Sequence, residues 1–389
     1  MSAPTPLSSS TDLGLSGQRL TVTYLVQASG ADAERMAHLL CIDQTVESTE
    51  EVIPAGPIRD ELLGHVRSIM QVTQTSSLIA VDFPVELIGT RADGLLHLLF
   101  GTSSLKPGIR VIDLAVPKGW SLPWPGPRFG RAGFRQWTGV SDRPILCAVL
   151  KPLGRSPKEL AALAMEFALG GIDCIKDDQG LADHPFCRFA DRVAACAEAV
   201  AEANRRTGGS CRYIPHVGGS ADDIRTQAAA AKALGAGGLL VCPGLSGYDS
   251  LRDLSSDRQQ TLPIVSHPSF LGTYTMSQTQ GIAPSVLYGI LPRLLGADVS
   301  IYPTYGPTFG VTRYDCAQIA EATANPAIPL PAIFPTAAGR MGREQLEEIV
   351  GLYGKDVVVI LGSRIQSDPD GIQTACRRVR EHLAGLDYR

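Results

Sequence analysis

The chain has 389 residues, of which 44% are hydrophobic and 19% are charged, and its formal net charge at pH 7 is −4. This length favours one large domain with a smaller one, and the weak negative charge gives no reason to expect nucleic acid or a membrane surface as a partner. The nine cysteines contain no Cys-x-x-Cys pair, which indicates reduced thiols in a cytoplasmic protein.

The N-terminal third predicts a tail followed by a small domain. Residues 1–18 are rich in Ser, Thr and Pro and lack a basic or apolar segment, so we expect a flexible tail rather than a signal peptide. In residues 19–125 the patterns predict strands at 19–28, 77–87 and 111–116 and helices at 31–42 and 91–100. Because the two types mix without strict alternation, we predict a small α+β domain of the ferredoxin-like type.

A second domain is predicted over residues 126–389, and strict alternation of strands and helices begins at Pro144, after a Pro- and Gly-rich connection at 117–130. The predicted strands are 145–150, 172–175, 212–216, 238–242, 263–267, 299–302, 332–335 and 357–361. The predicted helices include 157–169, 182–204, 221–234, 284–295, 314–324, 343–352 and 371–383. About eight such units are typical of a (β/α)8 barrel. A doubly wound open sheet is the alternative, disfavoured because no Gly-x-Gly-x-x-Gly follows the first strand.

The second predicted strand ends in a run of polar side chains. Lys176, Asp177, Asp178 and Gln179 follow an apolar stretch, at the end of a barrel strand where catalytic groups lie. Charged groups there are costly unless they are paired or bind a metal. The alternative interpretation is a salt-bridged strand end that only supports the fold.

Other strand ends also carry polar groups. Lys151 follows the first strand, His216 ends the third, and His267 ends the fifth. A single histidine is more often structural than functional, but His267 ends an apolar strand and precedes Pro268. Small or basic residues follow the last two strands, where backbone N–H groups of barrels bind phosphate; they are Gly339, Arg340, Gly362 and Ser363. The alternative is that these glycines only form turns.

Three stretches resemble the ribulose bisphosphate carboxylase (RuBisCO) superfamily, and within it the non-carboxylating RuBisCO-like proteins. The most specific combines Gly-Gly-x-Asp-x-x-Lys-Asp-Asp at 170–178 with Pro-Phe-x-Arg-x-x-Asp-Arg at 185–192. The others are Pro-Gly-Pro-Arg-Phe-Gly at 125–130 with Asp-Arg-Pro at 142–144, and Leu-Lys-Pro at 150–152 with Ser-Pro at 156–157. With the domain order, the resemblance covers nearly all of the chain after the tail.

The resemblance implies a metal site and a proton-moving lysine. Lys176 would react with CO2 to form a carbamate, which requires a neutral amine and therefore a lowered pKa. The carbamate, Asp178 and Gln179 would bind Mg2+, which prefers oxygen ligands. Lys151 matches the lysine that moves a proton in enolisation, and His267 matches the fifth-strand histidine.

The resemblance also implies a substrate phosphate site and a dimer. Gly339, Gly362 and Ser363 fall in the phosphate-binding turns of the family. From the strand-end pattern, Arg340 would add charge there, and His216 is a further candidate for substrate binding. Asp43 and Thr102 in the small domain match positions that complete the neighbouring subunit's site. An obligate homodimer with a shared active site is therefore implied.

Departures from the carboxylases exclude CO2 fixation on a bisphosphate. Gln179 replaces a glutamate, Pro268 replaces the arginine that would bind the second phosphate, and Thr102 replaces an asparagine. The segment 303–312 contains no lysine, although a carboxylase needs one there. A second lysine is also missing after Lys151-Pro152, where Leu153-Gly154 follow.

The remaining groups suit enediolate chemistry on a monophosphorylated keto sugar or keto sugar acid. The preferred hypothesis is a decarboxylase of the 3-oxo-isoapionate 4-phosphate type, since it needs only a metal and a proton donor. Enolisation or isomerisation of methylthioribulose-type phosphates is one alternative. A non-catalytic relative that binds a sugar phosphate is another, and Gln179 is its best support.

Overall fold

The computed structural model describes residues 12–306, 309–338 and 345–388. The strands are β1 (Arg19–Val26), β2 (His65–Gln71), β3 (Ser77–Pro84), β4 (Ile109–Ala115), β5 (Ile145–Leu150), β6 (Cys174–Asp177), β7 (Arg212–Ile214), β8 (His216–Val217), β9 (Leu239–Val241), β10 (Ile264–Ser266), β11 (Gly281–Ile282), β12 (Val299–Ser300), β13 (Phe334–Ala337) and β14 (Val358–Leu361). The α-helices are α1 (Ala31–Asp43), α2 (Ala92–Phe100), α3 (Gly130–Thr138), α4 (Pro157–Leu169), α5 (Phe189–Thr207), α6 (Ala221–Ala233), α7 (Pro243–Ser246), α8 (Asp249–Ser256), α9 (Leu291–Leu294), α10 (Arg313–Ala322), α11 (Leu346–Tyr353), α12 (Ser363–Gln366) and α13 (Ile372–Ala384). None of the helices in these ranges is long and apolar enough to cross a membrane.

The first of two compact units comprises residues up to 124, with 271–287 and 325–329. Its sheet has the order β11-β4-β1-β3-β2, with β1 antiparallel to β3 and β4. Alternate residues of β1 are buried, as expected when one face of an antiparallel sheet is packed. This confirms the predicted α+β domain.

Strand β2 of the first unit was not predicted from the sequence. All seven of its residues are exposed, and it is the edge strand of the sheet. Because neither of its faces packs against a core, no alternation of apolar and polar residues marks it as a strand. Of the predicted tail at 1–18, residues 1–11 lie outside the described residues, and the Ser16 N–H donates to Glu86 Oε1 at 2.8 Å.

The second unit is a closed barrel of parallel strands. Its order is β7-β6-β5-β14-β13-β12-β10-β9-β8, and β7 and β8 are one predicted strand interrupted at Pro215, which has no N–H to donate. The Pro215 carbonyl still accepts from Leu240 N–H at 2.8 Å. Counting β7 and β8 as one, eight strands close the barrel, which confirms the (β/α)8 prediction and excludes the open sheet.

Two buried aspartates form hydrogen bonds that join neighbouring segments at the amino-terminal end of the barrel. The Arg143 guanidinium donates two hydrogen bonds of 2.7 Å to Asp173, which also accepts from Leu146 N–H at 2.8 Å. Asp298 accepts three backbone N–H groups, from Phe129, Gly130 and Ile264, and burial raises its pKa to about 6. These contacts fix the strands whose opposite ends carry the candidate site.

The described fold holds nine free cysteines, and every one is buried. Several lie inside the barrel, where the core includes Cys147 and Cys174 among aliphatic and aromatic side chains. A buried thiol packs as a small apolar group, so these residues are part of the core.

Candidate active site

Lys176 lies inside the barrel, near the carboxyl end of β6. The strand was predicted at 172–175 but spans Cys174–Asp177, paired with β5 from Cys147↔Cys174 to Leu150↔Asp177. Side chains alternate along a strand, and Cys174 belongs to the interior core, so Lys176 also faces inward. The Lys176 side chain is buried, and its Nζ donates to the Asp177 carbonyl oxygen at 3.0 Å. Burial lowers its pKa, which favours the neutral amine that reacts with CO2.

Asp177 faces the opposite way and holds neighbouring elements together. Its carboxylate accepts from Arg192 Nε at 3.0 Å, Tyr213 OH at 2.8 Å and His216 N–H at 3.0 Å. Asp177 and Arg192 are fully buried. The salt-bridged alternative therefore describes Asp177, while Lys176 has no part in that ion pair.

Asp178 and Lys151 meet above the strand ends. The Lys151 Nζ lies 2.8 Å from Asp178 Oδ2, and Asp178 Oδ1 accepts from Gly180 N–H at 3.1 Å. The contact with Lys151 lacks hydrogen-bond geometry, so Oδ2 is a buried oxygen with no hydrogen bond. The site therefore presents an anionic oxygen that already attracts a cation.

Two histidines at the same end of the barrel, His216 buried and His267 partly buried, have opposite tautomers. The Ser269 N–H donates to His267 Nδ1 at 3.2 Å, and the Ser269 hydroxyl lies 3.1 Å from the same atom. His267 Nδ1 is therefore an acceptor, and the proton of the neutral ring is on Nε2. His216 Nδ1 lies 3.3 Å from the Leu181 carbonyl oxygen, which makes its Nε2 an acceptor.

Burial, with smaller contributions from the nearby basic groups of Lys176, His216 and Lys151, holds the pKa of His267 well below its usual value. Burial also lowers the pKa of His216. Lys151, Lys176 and the two histidines lie at or near the carboxyl ends of β5, β6, β8 and β10, and therefore at one end of the barrel. Sequence reasoning missed Ser269, whose only signal is its place two residues after His267.

The depressed pKa predicts the charge state of His267 in solution. Between about pH 8 and about pH 6, where an ordinary histidine titrates, we expect the imidazole shifts of His267 to stay constant by NMR. Since the unfolded chain gains protons first as the pH falls below about 6.5, the free energy of unfolding decreases there. A His267→Gln variant assigns the resonances, and a midpoint near the ordinary value would contradict the prediction.

The structure describes only part of the predicted phosphate turns. Gly339 and Arg340 lie outside the described residues. Gly362 follows β14, and a Cβ added there would meet nothing within 4 Å; Ser363 is exposed and begins α12. The backbone after β14 is thus open to approach by a ligand.

Asp43 and Thr102 lie in the first unit and have partners there. Asp43 pairs with the Lys106 ammonium, and Thr102 Oγ1 lies 3.5 Å from Glu47 Oε2. Glu47 also lies 2.6 Å from His97 Nε2. These side chains form a polar cluster within that unit.

The residues of the barrel fit Mg2+ when Lys176 carries a carbamate. Among the described residues no three His, Cys, Asp or Glu side chains form a metal site. The buried Asp178 Oδ2 offers one anionic oxygen, and a carbamate on Lys176 would add another. The Gln179 amide would offer a neutral oxygen, and hard cations accept such ligands.

Comparisons with known proteins cover almost the whole chain. The family model for the catalytic domain of the ribulose bisphosphate carboxylase large chain matches residues 132–307. The 5-methylthioribulose-1-phosphate isomerase of Rhodospirillum rubrum is 35% identical over 372 residues, 95% of this chain and 98% of that protein. The 2,3-diketo-5-methylthiopentyl-1-phosphate enolase of Geobacillus thermodenitrificans is 32% identical over 327 residues, 84% and 76% of the two chains. The crystal structure of a Rubisco-like protein from Rhodopseudomonas palustris has a TM-score of 0.84 and 32% identity and covers 96% of this chain and 99% of its own.

Proposed function

The chain belongs to the RuBisCO-like proteins, the non-carboxylating branch of the RuBisCO large-chain family, and from this we propose that it is an enzyme that moves protons next to the carbonyl group of a phosphorylated ketose. The observation that carries the proposal is the Lys151–Asp178 contact beside buried Lys176. It combines a proton-moving amine with a position for a cation.

The names of the relatives favour isomerisation or enolisation over the decarboxylation that we preferred from the sequence. One relative is named as an isomerase of methylthioribulose phosphate and another as an enolase of a methylthio-pentyl phosphate. We therefore propose a methylthioribulose-type 1-phosphate as the substrate class. Decarboxylation of an oxo-isoapionate phosphate has no support from these relatives.

The proposed roles follow from the hydrogen bonds of each side chain. Lys151 Nζ is half-exposed and lies 2.8 Å from Asp178 Oδ2. In its neutral form it would take a proton from the substrate carbon and return it to the neighbouring position. His267 would donate its Nε2–H to a substrate oxygen, because Ser269 occupies Nδ1. Bound Mg2+, held by Asp178, carbamylated Lys176 and Gln179, would polarise the carbonyl group.

Assembly and location are also proposals. We propose a homodimer in which Asp43 and Thr102 complete the partner's site, as the family resemblance implies. The nine unpaired, buried cysteines support a cytoplasmic location, where thiols stay reduced.

The test is proton exchange with 5-methylthioribulose 1-phosphate in D2O, with Mg2+ and bicarbonate, followed by NMR. We expect deuterium to enter the carbon next to the carbonyl group, and the Lys151→Met variant to slow this by about 10²–10⁴-fold, the usual contribution of a general acid or base. The exposed lysine of α4 supplies the control, Lys158→Met, which should exchange at the parental rate. No exchange by the parent protein would refute the proposed function.

A further inference from the structure

A cavity of about 700 Å3 opens beside Gln179 and His216. It lies at the carboxyl ends of β6, β8 and β9, and Cys242 and Leu245 after β9 also line it. Around the barrel, β5 lies between β6 and β14. The open backbone at Gly362 comes directly after β14 in the chain. The cavity is therefore on the far side of Lys176 and Asp178 from the candidate phosphate turn.

The charges of this cavity disfavour an anion. The described residues that line it include two carboxylates and neither lysine nor arginine. Asp223 accepts from the Ser220 N–H at 2.9 Å, and the Ser220 hydrogen bonds lower its pKa. Asp183 accepts from the Phe189 N–H at 2.8 Å, which lowers its pKa too, and Arg188 at 3.3 Å offsets part of its charge. Both carboxylates are therefore ionised near neutral pH.

The rest of the lining is mainly apolar or already hydrogen-bonded. Ala182 and Leu245 contribute exposed aliphatic surface. Burial raises the pKa of the Cys242 thiol to about 11, which keeps it neutral. Gln227 exchanges two hydrogen bonds of 3.0 Å with the backbone of Gly218. A neutral apolar group entering this space covers apolar surface without displacing a hydrogen bond.

We propose that this cavity binds the neutral, apolar end of the substrate, opposite its phosphate, and rejects a carboxylate at that end. The inference rests on the proposed function, because it assumes a ketose phosphate with its reacting carbons beside Lys151. The negative charge of this cavity, on the β6–β9 side of the site, would select methylthio-type substrates over sugar acids.

The test measures binding without turnover. The probes are the alcohols obtained by reducing the carbonyl group of 5-methylthioribulose 1-phosphate and of its 5-carboxymethylthio analogue, titrated calorimetrically with Mg2+ and bicarbonate present. We expect the parent protein to bind the neutral probe about threefold to tenfold more tightly, since Asp183 and Asp223 are exposed and repel a like charge across water.

Two arginine variants locate the preference. Leu245 is 61% exposed and Met70, in β2, is 57% exposed, so both positions accept arginine without repacking the core. In Leu245→Arg the preference for the neutral probe over the carboxylate probe should fall to about onefold or reverse. In Met70→Arg the ratio of the two affinities should equal that of the parent protein.

The outcomes separate the two proposals. Equal affinities in the parent, no binding of either probe, or an unchanged preference in Leu245→Arg would overturn the role of the cavity. A preserved preference without proton exchange would refute the proposed chemistry and leave the selectivity of the cavity standing.

Discussion

Replacing Lys176 with alanine should abolish both Mg2+ binding and proton exchange, with a loss of activity of at least about 10³-fold. Lys176 is 3% exposed and its pKa is lowered by burial, so its amine can react with CO2 and place a negative charge beside Asp178. Without that charge the site keeps a single carboxylate at this position, which is a weak site for a divalent ion. Calorimetric Mg2+ titration and the NMR exchange assay measure the two effects.

Two further measurements separate a carbamate from a structural role for Lys176. With 13C-labelled bicarbonate, the parent protein should give a carbamate signal that Lys176→Met lacks, and thermal unfolding of Lys176→Met should stay close to that of the parent. Lys158→Ala, on the exposed face of α4, serves as the matched lysine control. Parental Mg2+ affinity in Lys176→Ala would show that the carbamate is not a metal ligand.

Replacing Arg192 with methionine should lower the free energy of unfolding by about 3–5 kcal/mol, the usual effect of leaving one member of a buried ion pair alone. Arg192 and Asp177 are fully buried, and Arg192 also donates to the carbonyl oxygens of Leu181 and Ala182. Urea unfolding followed by circular dichroism measures the difference.

A double substitution tests whether the loss of stability in Arg192→Met comes from the unpaired charge of Asp177. Asp177→Asn combined with Arg192→Met removes both charges, so it should recover part of the lost stability. The exposed pair of Arg205 with Glu202 is the control, and Arg205→Met should cost no more than about 1 kcal/mol. An Arg192→Met protein as stable as the control variant would show that Asp177 does not need its partner.

Sequence reasoning predicted the barrel because its strands are buried on both faces and bounded by helices of regular length. It placed β6 two residues early, because Lys176 and Asp177 look like a loop. Their polarity is compatible with a strand only because Lys176 faces the site and Asp177 is neutralised by Arg192. That pairing joins residues 15 positions apart and is visible only in three dimensions.

The candidate site was predicted unevenly. Lys151, Lys176 and Asp178 were identified from motifs at strand ends, and the structure brings them together. The Ser269 contact that sets the tautomer of His267 depends on the turn after Pro268, which no pattern specified. The cavity beside Gln179 was also missed, since it is lined by segments 179–183, 216–227 and 242–246, whose shared boundary depends on packing.

Because all nine cysteines are buried, the reaction of their thiols with a reagent should report unfolding of the protein. A thiolate-specific reagent attacks only ionised thiols, and burial raises the pKa of Cys41 to about 11 and that of Cys376 to about 12. The folded protein should therefore stay unlabelled at neutral pH, while each unfolded chain releases nine reactive thiols. The rate at which the reagent develops colour would then count opening events directly, and a subset of early-reacting thiols would identify which part of the fold opens first.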